Sequence, residues 1–186
     1  RRYLNQASSD SPKSSVVLTG ASGFVGVHVV KHLRNQGIKV LPLSRSRSNG
    51  DFVSISDYAN APEGDVLIHL AQDNNRARVN QNKNAVAESE ALLRKLLSKK
   101  YHRVVYVSSA AVYGDKDSIP QKPSRKAMVT DNYTEIKSIS EHAVMNCGRG
   151  VVARLSNLYG IGMSSETVLG TILRQIPSTG PMRVHD

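Results

Sequence analysis

The chain has 186 residues, of which 39% are hydrophobic and 22% are charged, as in an ordinary globular protein. This length suits one domain, or one domain with part of another. No apolar stretch is long enough for a membrane helix, and the first residues lack the apolar centre of a signal peptide. The single cysteine, Cys147, excludes an internal disulfide. We therefore expect a cytoplasmic protein that has no membrane partner.

The net charge of +10 would suit nucleic acid, an anionic surface or an anionic small ligand. The basic residues are dispersed along the chain, which has no tryptophan and only two phenylalanines. Neither feature is typical of a nucleic-acid platform, so we expect no nucleic-acid partner. A phosphate-bearing cofactor needs only a local positive site, and the remaining charge is expected on the solvated surface.

Predicted strands and helices alternate after a polar segment, 1–14, which we interpret as a flexible leader. The predicted strands are 16–18, 38–43, 52–55, 66–70, 104–108 and 151–154, and the predicted helices are 24–36, 82–99, 132–147 and 164–176. Alternation of this kind predicts a parallel sheet that is covered on both faces. We expect an α/β fold, a Rossmann-like doubly wound sheet, over residues 15–186. The spacing of Asn132 and Glu135 predicts a capping box at the start of the third long helix.

A glycine-rich turn, Thr-Gly-Ala-Ser-Gly-Phe-Val-Gly at 19–26, joins the first strand to the first helix. The amide groups and the helix dipole then point at one spot that suits a pyrophosphate. Glycine allows the close approach of backbone to ligand and of helix to strand. The alternative is a tight turn with no ligand, but the strand and helix on either side favour a dinucleotide. The residues predicted to bind the cofactor here are Gly20, Ser22, Gly23, Phe24, Val25 and Gly26.

The end of the second strand carries no acidic residue, although NAD-binding folds usually place one there for the ribose 2′-hydroxyl. The segment reads Leu-Ser-Arg-Ser-Arg at 43–47. Arg45 and its hydroxyl neighbours could hold a 2′-phosphate through charge-assisted hydrogen bonds. We therefore predict NADP as the cofactor. The alternative is NAD, with Asp51 or Asp57 on the sugar and the arginines in solvent.

Tyr133 and Lys137 are four residues apart on a predicted helix, so they share one face. A lysine ammonium beside a tyrosine favours the phenolate, which makes Tyr133 a candidate acid or base near neutral pH. Ser108 and Ser109 end the fifth predicted strand, at the sheet edge where ligands bind. A serine hydroxyl there can polarise a carbonyl and orient it toward the tyrosine.

With these features in place, the chain resembles the extended short-chain dehydrogenases/reductases, in the nucleotide-sugar epimerase/dehydratase family. Four segments carry the resemblance over nearly the whole chain beyond the leader, namely TGASGFVG (19–26), LIHLAQ (67–72), YVSSAAVYG (106–114) with YTEIK (133–137), and RLSNLYG (154–160). They occur in the family's order and at similar intervals.

The resemblance implies roles for individual residues. Ser109, Tyr133 and Lys137 are expected to form a catalytic triad, with Lys137 also contacting the nicotinamide ribose. Leu70, Ala71, Ser108 and Asn84 are expected to contact the cofactor, and Ser109 and Asn157 the substrate, Asn157 at its phosphates. No residue is predicted to bind a metal.

The implied activity is that of an NAD(P)-dependent sugar-nucleotide epimerase or reductase, with hydride transfer through nicotinamide C4. Two alternatives remain at this stage, a reductase of a non-sugar carbonyl compound and a non-catalytic NADP-binding regulator. The intact triad disfavours the regulator, because a sensor needs no acid–base group. A sugar nucleotide is the expected partner, and a homodimer is compatible with the sequence.

The sequence also departs from the family pattern. Gln72 stands where a second alanine is common, Leu155 and Ile161 stand at proline positions, and Ser54 replaces an acidic residue. Related dehydratases carry Asp and Glu where this chain has Ala110 and Ala111, so an epimerase or reductase is favoured. Family members continue into a smaller C-terminal lobe, whose start we expect near 162–186, with most of the lobe absent.

Overall fold

The structure, a computed structural model, describes residues 15–46, 51–114, 120–165 and 167–176. The segment 1–14, predicted as a leader, lies outside the described residues, and so do residues 177–186 of the predicted start of the substrate lobe.

Strands and helices alternate along the described chain. The strands are Ser15–Thr19 (β1), Lys39–Ser44 (β2), Val53–Ser54 (β3), Val66–His69 (β4), Arg103–Ser109 (β5) and Gly150–Leu155 (β6), and the helices are Phe24–Asn35 (α1), Arg76–Gln81 (α2), Ala85–Leu97 (α3), Asn132–Asn146 (α4) and Val168–Gln175 (α5). Single 3-10 turns lie at Tyr58–Asn60 and Ala110–Tyr113.

All six strands are parallel, in the order β3-β2-β1-β4-β5-β6. This is the strand order of a doubly wound, Rossmann-like sheet, as predicted. Strands β2 and β3 lie on one side of β1, and β4, β5 and β6 lie on the other. The strand order therefore reverses between β1 and β4, which are hydrogen-bonded neighbours. Ligands of such sheets bind at the carboxyl ends of the strands on either side of this point.

Helices cover both faces of the sheet, as neighbouring residues of β1 demonstrate. Val17 belongs to a buried cluster that includes Leu93 of α3 and Val144 of α4, whereas Leu18 packs with Val30 of α1. Successive side chains of a strand point to opposite faces. The core therefore lies on both sides of β1, which explains why the strand is an unbroken apolar run.

Helix α2 was not predicted from the sequence, because its six residues contain one buried apolar side chain, Val79. Its position depends on the start of α4, which is distant in sequence. The Asn80 side chain accepts a hydrogen bond from the Tyr133 backbone N–H at 3.1 Å and donates one to Asp131 at 3.0 Å. Arg76 also forms an ion pair with Asp131.

The capping box of α4 lies one residue earlier than predicted, so the prediction of Asn132 and Glu135 was wrong. The Asp131 carboxylate accepts from the Thr134 backbone N–H at 2.9 Å, and the Thr134 hydroxyl accepts from the Asp131 backbone N–H at 3.1 Å. Asn132 is already the first helical residue. The physical reason is that Asp131 has the extended backbone of an N-cap residue, and its carboxylate is a strong acceptor for the helix amides.

Within the described ranges, the longest helix is α4, with 15 residues. No helix there has both the length and the apolar content to cross a membrane.

Candidate functional site

A cleft of about 550 Å³ opens at the carboxyl ends of β1, β4 and β5, beside the first turn of α1. It includes every predicted site residue except Ser22 and Asn84, namely Gly20, Gly23, Phe24, Val25, Gly26, Arg45, Leu70, Ala71, Ser108, Ser109, Tyr133, Lys137 and Asn157. Residues separated by more than a hundred positions in the sequence therefore meet at the sheet edge expected for a ligand site.

The two predicted residues that do not line the cleft have other positions. The Ser22 hydroxyl lies 2.7 Å from that of Ser44 and 3.2 Å from that of Ser46, so it links the glycine-rich turn to the end of β2. Asn84 is exposed at the start of α3, where its side chain makes no capping hydrogen bond. The break between α2 and α3 places Asn84 at this surface, outside the lining of the cleft, and its contact with a cofactor stays a prediction.

Two glycines of the turn have no room for a side chain. Gly20 has a φ of 73°, and a Cβ atom there would lie 2.9 Å from the backbone N of Ala71. A Cβ atom on Gly26 would collide with the carbonyl oxygens of Gly20 and Ala21. The first glycine therefore allows β1 and the segment after β4 to approach, and the other allows α1 to pack against the turn.

Helix α1 begins directly after Gly23 with its amide groups uncapped by any side chain. Its first turn contains no acidic residue and presents the amides of Phe24, Val25 and Gly26. Unpaired N–H groups and the positive end of a helix dipole favour a phosphate. The turn fits the pyrophosphate of a dinucleotide, because its glycines have no side chains and the start of the helix carries a partial positive charge.

The end of β2 combines hydroxyl groups with one guanidinium. Ser44 is fully buried, whereas Arg45 and Ser46 are exposed. Each of the two aspartates considered as alternatives has another partner, although Asp57 also lines a neighbouring cleft together with Arg45. The Asp57 carboxylate accepts from the Ala59 backbone N–H at 2.8 Å, and that of Asp51 lies 3.7 Å from the guanidinium of Arg34.

A second cleft of about 480 Å³ adjoins the first and runs along α3. Arg45, Asp73 and Arg78 line both clefts. Arg78 donates two hydrogen bonds to Asp73, at 2.6 and 2.8 Å, and these bonds hold the pKa of the Asp73 carboxyl below its usual value. The Asp73 carboxylate is therefore charged and paired at the junction of the clefts.

The three predicted catalytic side chains face the first cleft. Tyr133 and Lys137 lie one turn apart on α4, and the Lys137 Nζ atom is 5.6 Å from the centroid of the Tyr133 ring. Ser109 ends β5, where its Oγ atom accepts a hydrogen bond from the Ala111 backbone N–H at 3.2 Å. The arrangement brings a hydroxyl, a phenol and an ammonium to one surface of the cleft.

Lys137 is nearly buried, with 6% of its surface exposed. Burial lowers its pKa from 10.5 to about 8, and the nearby charge of Glu141 partly opposes this effect. The Nζ atom donates to Gln72 Oε1 at 2.7 Å and to the Val107 carbonyl oxygen at 3.2 Å. The lysine is therefore held in place and is a cation at neutral pH.

The charge of Glu141 is itself balanced by Arg154 of β6. Arg154 donates two hydrogen bonds to the carboxylate, at 2.9 and 2.6 Å, and both side chains are largely buried. The hydrogen bonds that Arg154 donates to Glu141 raise the pKa of Arg154, so the guanidinium stays charged. Its central carbon lies 4.8 Å from the centroid of the Tyr113 ring. This pair fixes α4 against β6 behind the lysine.

His69 packs in the interior rather than facing the cleft that contains the triad. It is 2% exposed, and its Nδ1 atom lies 2.7 Å from the Thr19 hydroxyl. Burial, with a smaller contribution from the charge of Lys137, lowers the pKa of His69 to about 4. The imidazole is thus neutral at physiological pH.

Sequence reasoning did not assign three residues of this region, namely Gln72, Tyr58 and Arg78. Gln72 was noted only as a departure from the family pattern. Its importance depends on Lys137, 65 positions away, and on the neighbouring strand β5. Tyr58 and Arg78 lie in short elements that carry no periodic signal.

Comparisons with known proteins show the family and the fold of the chain. Residues 16–184 match the model of the NAD dependent epimerase/dehydratase family. The chain is 26% identical to a UDP-glucose 4-epimerase of Halalkalibacterium halodurans over 144 residues, covering 66% of this chain and 43% of the relative. It is 25% identical to a UDP-glucose 4-epimerase of Azospirillum brasilense, covering 82% and 51% respectively. The chain thus spans about half the length of the curated relatives that it matches.

Solved structures share the fold. A UDP-glucuronic acid 4-epimerase from Bacillus cereus, in complex with UDP-glucuronic acid and NAD, superposes with a TM-score of 0.73 at 20% identity, covering 90% of this chain and 64% of that one. The NDP-hexosamine 5,6-dehydratase TunA gives a TM-score of 0.76 at 20% identity, covering 90% and 62%. The family match extends over nearly all of the chain, and the chain belongs to the NAD-dependent epimerase/dehydratase family.

Proposed function

We propose that the full-length protein is an NADP-dependent sugar-nucleotide epimerase or reductase. The observation that carries this proposal is that Ser109, Tyr133 and Lys137 share one cleft with the glycine-rich turn. An acid–base group, a carbonyl-orienting hydroxyl and a dinucleotide site are the parts needed for hydride chemistry on an alcohol.

The residues divide the chemical work between them. When bound, the nicotinamide supplies hydride acceptance and return at its C4 atom. Tyr133 takes the proton of the substrate hydroxyl as the carbonyl forms, and returns it when the carbonyl is reduced. Ser109 donates a hydrogen bond to the reacting oxygen and holds it near the phenol. Lys137 places a positive charge beside Tyr133, with its Nζ atom 5.6 Å from the ring centroid.

The cofactor assignment rests on the end of β2. Arg45 offers a guanidinium there, and Ser22, Ser44 and Ser46 form a hydroxyl cluster without a carboxylate. A carboxylate would bind the 2′-hydroxyl of NAD and repel a phosphate, whereas this group suits the 2′-phosphate of NADP. NAD remains the alternative, because five of the similar solved structures are complexes with NAD.

The substrate assignment rests on the relatives and on the segment after β6. Two curated relatives are UDP-glucose 4-epimerases, and two similar structures contain UDP-glucuronic acid. In this chain Asn157 and Ser164 line the cleft beyond the triad. We assign Asn157 to the diphosphate of the sugar nucleotide.

The test is to incubate the full-length protein with NADP and a panel of sugar nucleotides, and to follow products by NMR. Inversion at the sugar C4, or net oxidation of NADPH, is the expected result. Conversion of simple ketones or aldehydes without any reaction of sugar nucleotides would overturn the substrate assignment. Tight NADP binding without turnover of either class would indicate a regulator instead.

A further inference from the structure

The Gln72 side chain lies between three elements of the fold. Gln72 follows the carboxyl end of β4, and its Oε1 atom accepts a hydrogen bond from Lys137 Nζ on α4 at 2.7 Å. The same oxygen accepts one from the Tyr106 hydroxyl on β5. The Nε2 atom lies 3.5 Å from the Ser140 hydroxyl, on the face of α4 that also carries Lys137.

The chemistry of the neighbours fixes the orientation of this amide. An ammonium can only donate, so the amide atom that faces Lys137 must be the oxygen. Burial raises the pKa of Tyr106 well above its usual value, so the phenol keeps its proton and also donates. Reversing the amide would point an N–H group at the ammonium, which cannot accept a hydrogen bond. Gln72 is therefore held with its acceptor toward the lysine.

The ammonium of Lys137 has three N–H groups, of which Gln72 and Val107 accept two. The rings of Tyr106 and Tyr133 lie near the same Nζ atom, with their centroids 5.3 and 5.6 Å away. Val107 contributes a backbone carbonyl that no substitution removes. Gln72 is thus the replaceable part of the support that holds the ammonium beside Tyr133.

Other charges around the lysine are largely cancelled. The titratable or charged groups that face it are His69 on β4, Tyr106 on β5, Tyr133 and Glu141 on α4, and Arg154 on β6 through Glu141. His69 and Tyr106 are neutral at physiological pH, and Glu141 is paired with Arg154. In a buried place, one well-aligned acceptor then has a large effect on whether the amine carries a proton.

We propose that Gln72 is a positioning residue, whose side-chain oxygen holds the Lys137 ammonium against β5 and keeps it charged beside Tyr133. An alanine, common at this position in the family that the sequence resembles, has no such acceptor. The proposal rests on the proposed function for the role of Lys137, but the contact between the two side chains can be tested apart from turnover.

The first test measures the protonation of Lys137 in the full-length protein. Lysine is labelled with ¹³C at Cε, the Lys137 signal is assigned by its loss in Lys137→Arg, and its titration is followed by NMR. Gln72→Met keeps the shape without the acceptor, and Gln72→Glu places an anion there. The titration midpoint is expected to fall by about one pH unit in Gln72→Met and to rise by about as much in Gln72→Glu.

The second test uses turnover. The alkaline limb of the pH profile of kcat/KM is expected to move to lower pH in Gln72→Met and to higher pH in Gln72→Glu. A merely structural role would lower activity in both without moving the limb either way. Gln36→Met, an exposed glutamine at the end of α1, is the matched control and should leave the titration and the profile unchanged. Gln72→Ala is a second acceptor-free variant, with the same expected direction as Gln72→Met.

The two tests separate this proposal from the proposed function. If no sugar nucleotide reacts but the Lys137 midpoint moves in opposite directions, the contact is supported and the function is wrong. If sugar nucleotides react and the midpoint is the same in all variants, the role of Gln72 is overturned and the function stands.

Discussion

The guanidinium of Arg45 lies over the ring of Tyr58, with its central carbon 5.1 Å from the ring centroid. The Arg45 backbone N–H also donates to the Tyr58 hydroxyl at 3.3 Å, and Tyr58 is 5% exposed. The buried Tyr58 therefore holds the exposed Arg45 in place through a cation–π contact and a hydrogen bond. The arginine is held at the end of β2, where Rossmann folds place the adenosine ribose.

This support leads to a prediction about the cofactor. Arg45→Ala should weaken NADPH binding by about 10–100-fold, because charge-assisted hydrogen bonds to the 2′-phosphate are lost. Binding of NADH, which lacks that phosphate, should change little. Fluorescence titration of both cofactors measures the ratio.

The matched control is Arg94→Ala, which removes another exposed arginine, from α3. It lies away from the cleft, so it should leave both affinities unchanged. Equal binding of NADPH and NADH by the starting protein would disprove the NADP assignment before any variant is made.

Tyr133→Phe tests the proton transfer. The variant keeps the ring beside Lys137 and removes only the hydroxyl, so cofactor binding should remain nearly normal. Turnover should fall by about 10²–10⁴-fold, the usual contribution of one acid–base group. Tyr159→Phe removes a hydroxyl from a tyrosine that is 74% exposed and serves as the control. Near-normal turnover of the Tyr133→Phe protein would remove Tyr133 from its role.

The doubly wound parallel sheet could be predicted, because strands alternate with helices along the chain and the glycine-rich turn joins the first strand to the first helix. The short elements could not. Helix α2 owes its position to the contacts of Asn80 and Arg76 with the start of α4, more than fifty positions away. Strand β3 is paired over two residues, Val53 and Ser54, rather than the four predicted, because only these two align with β2.

Within the candidate site, too, some features could be predicted from the sequence and others could not. Tyr133 and Lys137 could be predicted together because a helical spacing of four is visible in the sequence. The hydrogen bond between Gln72 and Lys137 could not, because it requires β4, β5 and α4 to be adjacent. Asn84 was predicted from a motif position alone, and the separate start of α3 places it at the surface.

A buried ammonium has a cost in stability, and this gives a prediction with a defined sign. The pKa of Lys137 is lowered from 10.5 to about 8, so the folded state disfavours the charged form. The cost is fully present below about pH 8 and disappears as the pH rises toward 10.5. Lys137→Met should therefore raise the free energy of unfolding by about 1–3 kcal/mol at pH 7 while abolishing turnover.

The stability gained through Lys137→Met should become smaller as the pH rises from 8 toward 10. Thermal unfolding of the variant and the starting protein across that range measures this difference. Lys31→Met, at an exposed position on α1, is the control and should show no such trend. If Lys137→Met is less stable than the starting protein at pH 7, or if the Tm difference between them does not depend on pH, then the buried Lys137 charge is not destabilising.

The last prediction concerns the type of reaction, and it rests on the residues that follow Ser109. Loss of water next to a ketone requires an acid for the departing hydroxide and a base for the carbon proton. The dehydratases that the sequence resembles carry Asp and Glu at the two positions where this chain has Ala110 and Ala111.

In the structure these alanines form the 3-10 turn after β5, and alanine can neither give nor take a proton. Asp73 is the only acidic residue among the described residues that line the cleft, and two hydrogen bonds bind its carboxylate to Arg78. We therefore expect the full-length protein, given NADP and a panel of sugar nucleotides, to form no 4-keto-6-deoxy sugar, while C4 inversion or NADPH oxidation proceeds. Mass spectrometry of the products detects the loss of water directly, and steady accumulation of the dehydrated sugar would show that groups outside the described residues supply the missing acid and base.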